Sequence, residues 1–326
     1  MITRETLADS SKRVGDIRIG TSGWSYAPWR GSFFPDKLPQ RQELWFASRA
    51  FRALEINGTF YGLQKPETFG KWAAETPADF IFAVKAPRYI THVLRLRDVG
   101  TAVANFFASG LLDLGEKLGA ILWQLPPSLE FEPDLLEAFL RILPHDSFAA
   151  AELAAKHDEH VSYRPCETGR GARRIRHALE IRHDSYCNVG FLAMLRRYDI
   201  ALVCADTTKY PLLMDATSDF VYCRLHGSET LYESGYGMQA LDLWAERALA
   251  WANGTRMSDG HFVGEGTSDG RPRDVYLFFD NTMTSQAPDN ARSLLDTIAA
   301  RVAGERSKVT RWTAPQPVMW SSAEPT

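Results

Sequence analysis

Cysteine is scarce in this sequence. Four occur among 326 residues, at positions 166, 187, 204 and 223, and none forms a C-x-x-C pair. Small secreted domains rely on closely spaced cysteines for a disulfide framework, and many structural zinc sites rely on paired cysteines. The sequence therefore argues against both classes and favours a reducing compartment, the cytoplasm.

Long apolar runs and an excess of one charge are also missing. No uncharged apolar stretch approaches the length of about 18 residues typical of a membrane span, and residues 1–16 hold no apolar signal-peptide core. The 37 basic and 40 acidic residues give a formal charge of -3. We therefore expect no membrane partner and no global attraction to nucleic acid, so that any anion site must be local.

Eight short apolar runs, rich in β-branched and aromatic residues, are typical of buried strands. They are IRIGT (17–21), ALEIN (53–57), FIFAVK (80–85), GAILWQL (119–125), ALEIR (178–182), IALVCAD (200–206), FVYCRL (220–225) and DVYLFFD (274–280). Segments with apolar residues at helical spacing lie at 40–51, 66–75, 99–117, 133–143, 188–198, 238–252 and 288–303. Pro133-Asp134 and Pro288-Asp289 are typical helix starts.

This alternation predicts parallel strands and, from the count of eight, an α/β protein with a closed (β/α)8 barrel of the TIM type. Segment 207–219 is expected to hold no more than a short turn of helix. The alternative is a doubly wound open sheet. Such a sheet usually has a G-x-G-x-x-G turn after its first strand, whereas this chain has TSGWSY from Thr21.

The predicted organisation is a single barrel domain over residues 17–304, after an N-terminal leader at 1–16 and before an irregular C-terminal extension at 305–326. Two polar insertions interrupt the barrel. One spans about 155–177, before the fifth strand, and contains five arginines; the other spans about 253–273 and is rich in Gly, Ser and Asp.

Alternation along the strands predicts which side chains enter the barrel. Apolar residues such as Leu54, Val84 and Leu179 should meet the helices, which leaves polar residues inside, near the carboxyl ends of the strands. We expect this inward set to contain Glu55, Glu180, Asp206, Asp280, Lys85, Arg182, Arg224, His226 and Gln124. Buried charge is costly unless pairing or function compensates, so the set predicts either an active site or a self-satisfied ion network.

Further polar and aromatic residues follow the strand ends and complete the candidate substrate site. They are Trp24, Tyr26, Asn57, Tyr61, Arg88, His92, His183 and Asn281. Aromatic rings with convergent polar groups suit a flat or sugar-like ligand, and the cations suit phosphate or carboxylate. Packing over the barrel mouth explains the aromatic residues equally well.

A series of segments closely resembles the DUF72, or YecE-like, family. They are TSGWSYAPWRG (21–31), LEINGTFY (54–61), FAVKAPRYITH (82–92), LPP (125–127), LEIRH (179–183), VYCRLHG (221–227) and YLFFDN (276–281). The resemblance runs from about residue 17 to 292 and implies a TIM-type barrel, but no established reaction. The sequence departs from the family at Asp280, where asparagine is more common.

Three functions compete. The first is an enzyme, a hydrolase, lyase or isomerase, in which Lys85, Arg182 and Arg224 hold an anionic substrate. Glu55 or Glu180 would act as the base and His226 as the acid, and Asp206 is a further catalytic candidate. The second is a barrel that uses a divalent metal, with ligands drawn from Glu55, Glu180, Asp206, Asp280, His92, His183 and His226, although no local ligand motif such as H-E-x-x-H occurs. The third is a non-catalytic binding protein, with nucleic acid as a possible partner of the arginine-rich insertion.

Overall fold

The computed structural model describes residues 14–162, 171–227, 234–257, 259–264 and 269–304. Eight parallel strands form one sheet: β1 (Ile17–Thr21), β2 (Ala53–Ile56), β3 (Ile81–Lys85), β4 (Leu118–Gln124), β5 (Arg176–Glu180), β6 (Ile200–Asp206), β7 (Phe220–Leu225) and β8 (Asp274–Phe279). Each predicted strand is present within two residues of its expected bounds. In the strand order β1-β8-β7-β6-β5-β4-β3-β2, consecutive strands from β2 to β8 lie side by side, and β1 pairs with β8. Strands β1 and β2 are therefore the two ends of the sheet.

The barrel closes where β1 approaches β2. There Ser22 bridges to Glu55, and the amide of Gly23 donates to the carbonyl of Glu55 at 2.8 Å. Glycine is required at position 20, because a Cβ atom would lie 1.8 Å from the carbonyl oxygen of Ala53. The predicted (β/α)8 barrel is therefore confirmed, with a short seam between its first two strands.

Helices surround the sheet. They are α1 (Glu43–Ala50), α2 (Gly58–Tyr61), α3 (Pro66–Glu75), α4 (Gly100–Ala108), α5 (Pro133–Arg141), α6 (Ser147–Ala154), α7 (Val189–Arg197), α8 (Met238–Asn253) and α9 (Gln286–Gly304). Pro133 occupies the first turn of α5. The side chains of Asp146 and Asn188 accept hydrogen bonds from backbone amides at the starts of α6 and α7. As expected, segment 207–219 contains no helix, so β6 connects to β7 through irregular chain. In the described ranges no helix has the length and apolar character that crossing a bilayer requires.

The interior of the barrel is packed asymmetrically. Strands β2 to β6 contribute mostly small side chains, including Ala53, Ala83, Ala120, Ala178 and Ala201. Strands β7 and β8 contribute the large rings of Phe220, Tyr222, Tyr276 and Phe278. Large rings therefore pack against small residues inside the barrel, and the apolar residues of opposite parity form the separate core beneath the helices.

Four predicted regions lie wholly or partly outside the described residues. They are residues 1–13 of the leader, the extension at 305–326, residues 163–170 of the first insertion, and residues 258 and 265–268 of the second. The described parts of both insertions form no helix or strand beyond the ends of the flanking elements.

Candidate active site

Arg224 lies at the centre of the polar cluster inside the barrel. This residue of β7 is buried, with 1% of its side chain exposed. Its Nε and Nη2 atoms donate to the two carboxylate oxygens of Glu55 at 3.0 and 2.9 Å, and Nη1 donates to Glu180 at 2.8 Å. Nη2 also lies 3.1 Å from Oδ2 of Asp280. One guanidinium therefore binds three carboxylates, which come from β2, from β5 and from the residue after β8.

Three further side chains contact these carboxylates. Tyr222 donates its hydroxyl to Glu55 at 2.6 Å, Arg182 donates from Nε to Glu180 at 2.9 Å, and Nδ1 of His226 lies 2.8 Å from Asp280. Burial raises the pKa of Glu180, but Arg182 and Arg224 outweigh it and hold that pKa well below its usual range. Burial also raises the pKa of Asp280, but Arg224 and His226 outweigh burial, so the pKa of Asp280 is lowered as well. Both groups are therefore carboxylates of low basicity.

Lys85 ends β3 inside the same cluster and is bonded differently. It is 9% exposed, and its Nζ atom lies over the ring of Phe60, 4.2 Å from the centroid. Among the described residues no carboxylate oxygen lies within 4.0 Å of Nζ, the distance of an ion pair. Burial, followed by the charge of Arg224, lowers the pKa of Lys85 to about 8, although the nearby carboxylates oppose this.

Cations also surround His92, which lies in a single π-helical turn, Tyr89–Val93, after β3. Its ring is half-buried, contacts Phe60 edge to face, and shares a hydrogen bond of 2.8 Å with the hydroxyl of Thr91. Burial, then the charges of Arg182, Lys85 and Arg88, lower the pKa of His92 to about 4. The imidazole is therefore neutral at pH 7, and three cations lie within electrostatic reach of it.

Several buried oxygen atoms inside the mouth have no hydrogen-bond partner among the described residues. They belong to Ser22 after β1, Asn57 after β2 and Gln124 on β4. Tyr26 lies beside them, and its hydroxyl donates to the carbonyl of Ser22 at 2.6 Å. Burial is the main cause that raises the pKa of Tyr26 to about 12. Because buried polar atoms are nearly always hydrogen-bonded, we expect these oxygen atoms to accept hydrogen bonds from water or from a polar ligand.

The predicted position of Asp206 is wrong. Along β6 it shares the parity of Leu202 and Cys204, which face the helices, and not that of Ala201, Val203 and Ala205, which line the interior. Its carboxylate accepts a hydrogen bond from the indole of Trp244 on α8 at 3.3 Å. Asp206 therefore lies outside the barrel wall, and the interior carboxylates are three, not four.

Three other predicted site residues also lie away from the cluster. Trp24 packs edge to face on Trp72 of α3, with ring centroids 5.5 Å apart. His183 accepts the backbone amide of Ser185 and so caps a 3-10 turn. Asn281 donates to the carbonyl of Ser234 and to Asn290 of α9. Of the remaining predicted residues, Tyr61 and Arg88 are exposed at the rim, with Tyr61 77% exposed.

Sequence reasoning did not identify three contacting aromatic residues. Tyr222 precedes Arg224 by two residues on β7, so the parity rule applied to that strand would have placed it inside. Phe60 under Lys85 and Tyr210 under Arg182, whose guanidinium carbon lies 4.6 Å from the ring centroid, come from connecting segments. Their positions depend on how those segments fold over the mouth, and no local pattern reveals that.

A cavity of about 390 Å³ opens at the opposite end of the barrel, beside the first residues of β3, β4 and β5. Arg173, Arg174 and Arg176 of the first insertion line it. Their guanidinium groups contact carboxylates: Arg173 lies 3.8 Å from Glu116, Arg176 lies 2.8 Å from Asp274, and Arg174 pairs with Asp199 and Asp219. Arg164 and Arg170 lie outside the described residues.

Comparison with known proteins identifies the family. The model of the family described as "Protein of unknown function DUF72" matches residues 18–315, most of the chain. The chain belongs to the DUF72 family. This DUF72 barrel is 33% identical over 131 residues to UPF0759 protein YecE of Escherichia coli K12, covering 39% of the chain and 44% of YecE. It is 29% identical over 134 residues to UPF0759 protein YunF of Bacillus subtilis, covering 40% of the chain and 46% of YunF. The chain thus aligns with less than half the length of these curated relatives.

Solved structures of the family share the fold of this DUF72 barrel. A DUF72 protein from Thermotoga maritima superposes with a TM-score of 0.64 at 24% identity, covering 87% of this chain and 99% of that one. One from Enterococcus faecalis superposes with a TM-score of 0.58 at 16% identity, covering 88% and 98%. At these identities the likeness supports the architecture alone.

Proposed function

We propose that this DUF72 barrel is an enzyme that binds a small anionic substrate, bearing phosphate or carboxylate, at the carboxyl-end mouth. The observation that carries the proposal is the grouping of cations near His92: Lys85 and His92 contact the same Phe60 ring, and the charges of Lys85, Arg88 and Arg182 all act on the imidazole. The unpartnered oxygen atoms of Ser22, Asn57 and Gln124 supply nearby polar contacts. In barrel enzymes the active site lies at this end of the strands.

The contacts of Arg224 change the role proposed for it. Four of its N–H···O contacts go to Glu55, Glu180 and Asp280, so the guanidinium has little capacity left for a substrate. We assign Arg224 as a positioning residue that fixes the three carboxylates, and we assign the anion to Lys85, Arg88 and Arg182. Arg182 is suited to this because its flat guanidinium stacks on Tyr210 while it pairs with Glu180.

The acid and base assignments follow from the same contacts. Arg182 and Arg224 donate to Glu180 and hold its pKa below the usual range, which makes Glu180 a weak base, while Glu55 accepts hydrogen bonds from Arg224 and Tyr222. His226 remains the proposed acid, with Asp280 at 2.8 Å orienting its ring.

The two alternatives receive less support. In the part of the chain that the structure describes, no three His, Cys, Asp or Glu side chains are grouped to hold a metal ion, and the interior carboxylates are bound by arginine. A non-catalytic binding protein would use the same anion site, and only a search for turnover separates it from an enzyme.

Isothermal titration calorimetry with inorganic phosphate and with pyruvate tests the site. We expect the wild type to bind at least one of these anions, and Arg182→Gln to weaken that binding about tenfold through loss of a charge-assisted contact. The matched control is Arg301→Gln, since Arg301 pairs with Asp242 and Glu246 on the outer helices. Equal affinity in all three proteins would move the site away from the mouth.

A further inference from the structure

The Lys85 amine differs from every other charged group of the cluster. Glu55, Glu180 and Asp280 are each held by arginine, and Arg182 is held by Glu180. Lys85 meets the face of Phe60 instead, while the hydroxyl of Thr59 binds its backbone carbonyl at 2.6 Å and fixes the end of β3. The amine is therefore positioned by packing and is not consumed by an ion pair among the described residues.

We propose that Lys85 is the nucleophile of this site and forms an imine with an aldehyde or ketone carbonyl of the anionic substrate. This inference rests on the proposed function, since it assigns the reacting group of the same substrate. Lysines that act this way lie in apolar pockets or beside another cation, and Lys85 lies against the face of Phe60 with the charge of Arg224 nearby. The lowered pKa of Lys85, about 8, means that a useful fraction of the amine is neutral near pH 7.5.

The step needs no co-reactant. The neutral amine forms a C–N bond to the carbonyl carbon, and the oxygen takes a proton as its π bond to carbon breaks. The resulting carbinolamine then loses that oxygen as water and becomes an imine. A proton leaves the nitrogen as one reaches the oxygen, and the neutral imidazole of His92, which contacts the same Phe60 ring as Lys85, is placed to carry it. Arg182 and Arg88 remain for the carboxylate or phosphate.

The wild-type protein can be tested with glyoxylate, the smallest anionic aldehyde, in the presence of sodium cyanoborohydride. Reduction converts the imine into a stable secondary amine, and trypsin does not cleave after the modified lysine. Label on Lys85 therefore appears in the peptide 72–88 in place of 72–85. We expect Lys85 to be labelled about tenfold faster than the exposed Lys71 at pH 7.5, because burial lowers the pKa of Lys85 to about 8.

Two further measurements make the result decisive. The labelling rate of Lys85 should rise with a midpoint near pH 8. Lys85→Arg, checked for folding by its melting temperature, should lose the 72–88 product. Labelling of Lys85 no faster than Lys71 overturns the nucleophile while leaving anion binding intact. Absence of any binding of phosphate or pyruvate to the wild type instead overturns the proposed function.

Discussion

At the scale of single residues, the cluster around Arg224 shows how buried charge is tolerated in this barrel. A buried ion requires partners for nearly all its polar atoms, since removal from water costs several kcal/mol per ion. Arg224 has three carboxylate partners, and Glu55 gains Tyr222 as a further donor. Burial alone would lower the pKa of Arg224, but Asp280, Glu55 and Glu180 raise it well above its ordinary value.

Removing this guanidinium should therefore be severe. Arg224→Met leaves three buried carboxylates without their shared cation, and we expect the free energy of unfolding to fall by about 3–5 kcal/mol. Arg97→Met is the matched control: Arg97 and its partner Glu132 are both more than half exposed, so its loss should cost less than about 1 kcal/mol. Urea denaturation measures both. Similar losses in the two variants would show that the cluster does not stabilise the fold.

Lys85 should make stability depend on pH in the alkaline range. Its pKa is lowered from an ordinary 10.5 to about 8, so between these values the unfolded chain binds a proton that the folded protein does not. Stability from this residue therefore rises as pH increases from 8 to 10.5, by up to about 3 kcal/mol. We expect Lys85→Met to remove that rise, and Lys71→Met, at an exposed site on α3, to retain it. Parallel profiles for wild type and Lys85→Met would contradict the shift.

At the scale of elements, the strands were predictable because each is short, apolar and bounded by polar chain. Alternation also assigned Glu55, Lys85, Glu180, Arg224 and Asp280 correctly to the interior. The error at Asp206 arose from placing a charged residue at a strand end inside without applying the parity of Leu202 and Cys204. A carboxylate can also lie outside the wall when a helix offers a donor, as Trp244 does.

Helix α6 was not predicted, for a different reason. Its sequence, SFAAAELA, is rich in alanine, which favours helix but leaves no polar and apolar faces to recognise. Its start signal is the side chain of Asp146, which accepts amides of Phe148 and Ala149. The contacts of Phe60, Tyr210 and Trp24 were equally beyond prediction, because they depend on how connecting segments pack and not on a repeating pattern.

The seam between β1 and β2 is the element-scale feature most sensitive to substitution. Gly20→Ala would put a methyl group 1.8 Å from the Ala53 carbonyl oxygen, so the strands must separate. We expect a loss of at least about 3 kcal/mol, at the upper end of overpacking effects. Gly70→Ala in α3 meets nothing within 4 Å and should instead stabilise by about 0.5–1 kcal/mol. Thermal denaturation of both variants tests this. An unchanged stability of Gly20→Ala would show that β1 and β2 are not in close contact at the seam.

At the scale of the whole molecule, charge is balanced locally and not spread as a field. The formal charge is -3, and the three interior carboxylates face Arg224, Arg182 and Lys85. At the other end of the barrel, Arg173, Arg174 and Arg176 are engaged by acidic side chains. Among the described residues, the cations that we assign to an anion therefore lie at the mouth, which supports the proposal of a small ligand over a polyanion.

This distribution predicts weak binding to nucleic acid. Phosphate contacts made by free arginines give affinities that fall steeply with salt, whereas paired arginines must first break their ion pairs. We expect fluorescence anisotropy with labelled duplex DNA and single-stranded RNA to show dissociation constants no tighter than about 10⁻⁴ M at physiological salt. Arg173→Gln should leave that result unchanged, because Arg173 already pairs with Glu116. If binding is instead tight and salt-sensitive, and this substitution weakens it, the result would favour a nucleic-acid partner. That partner would bind at the amino end of the barrel and not at the mouth.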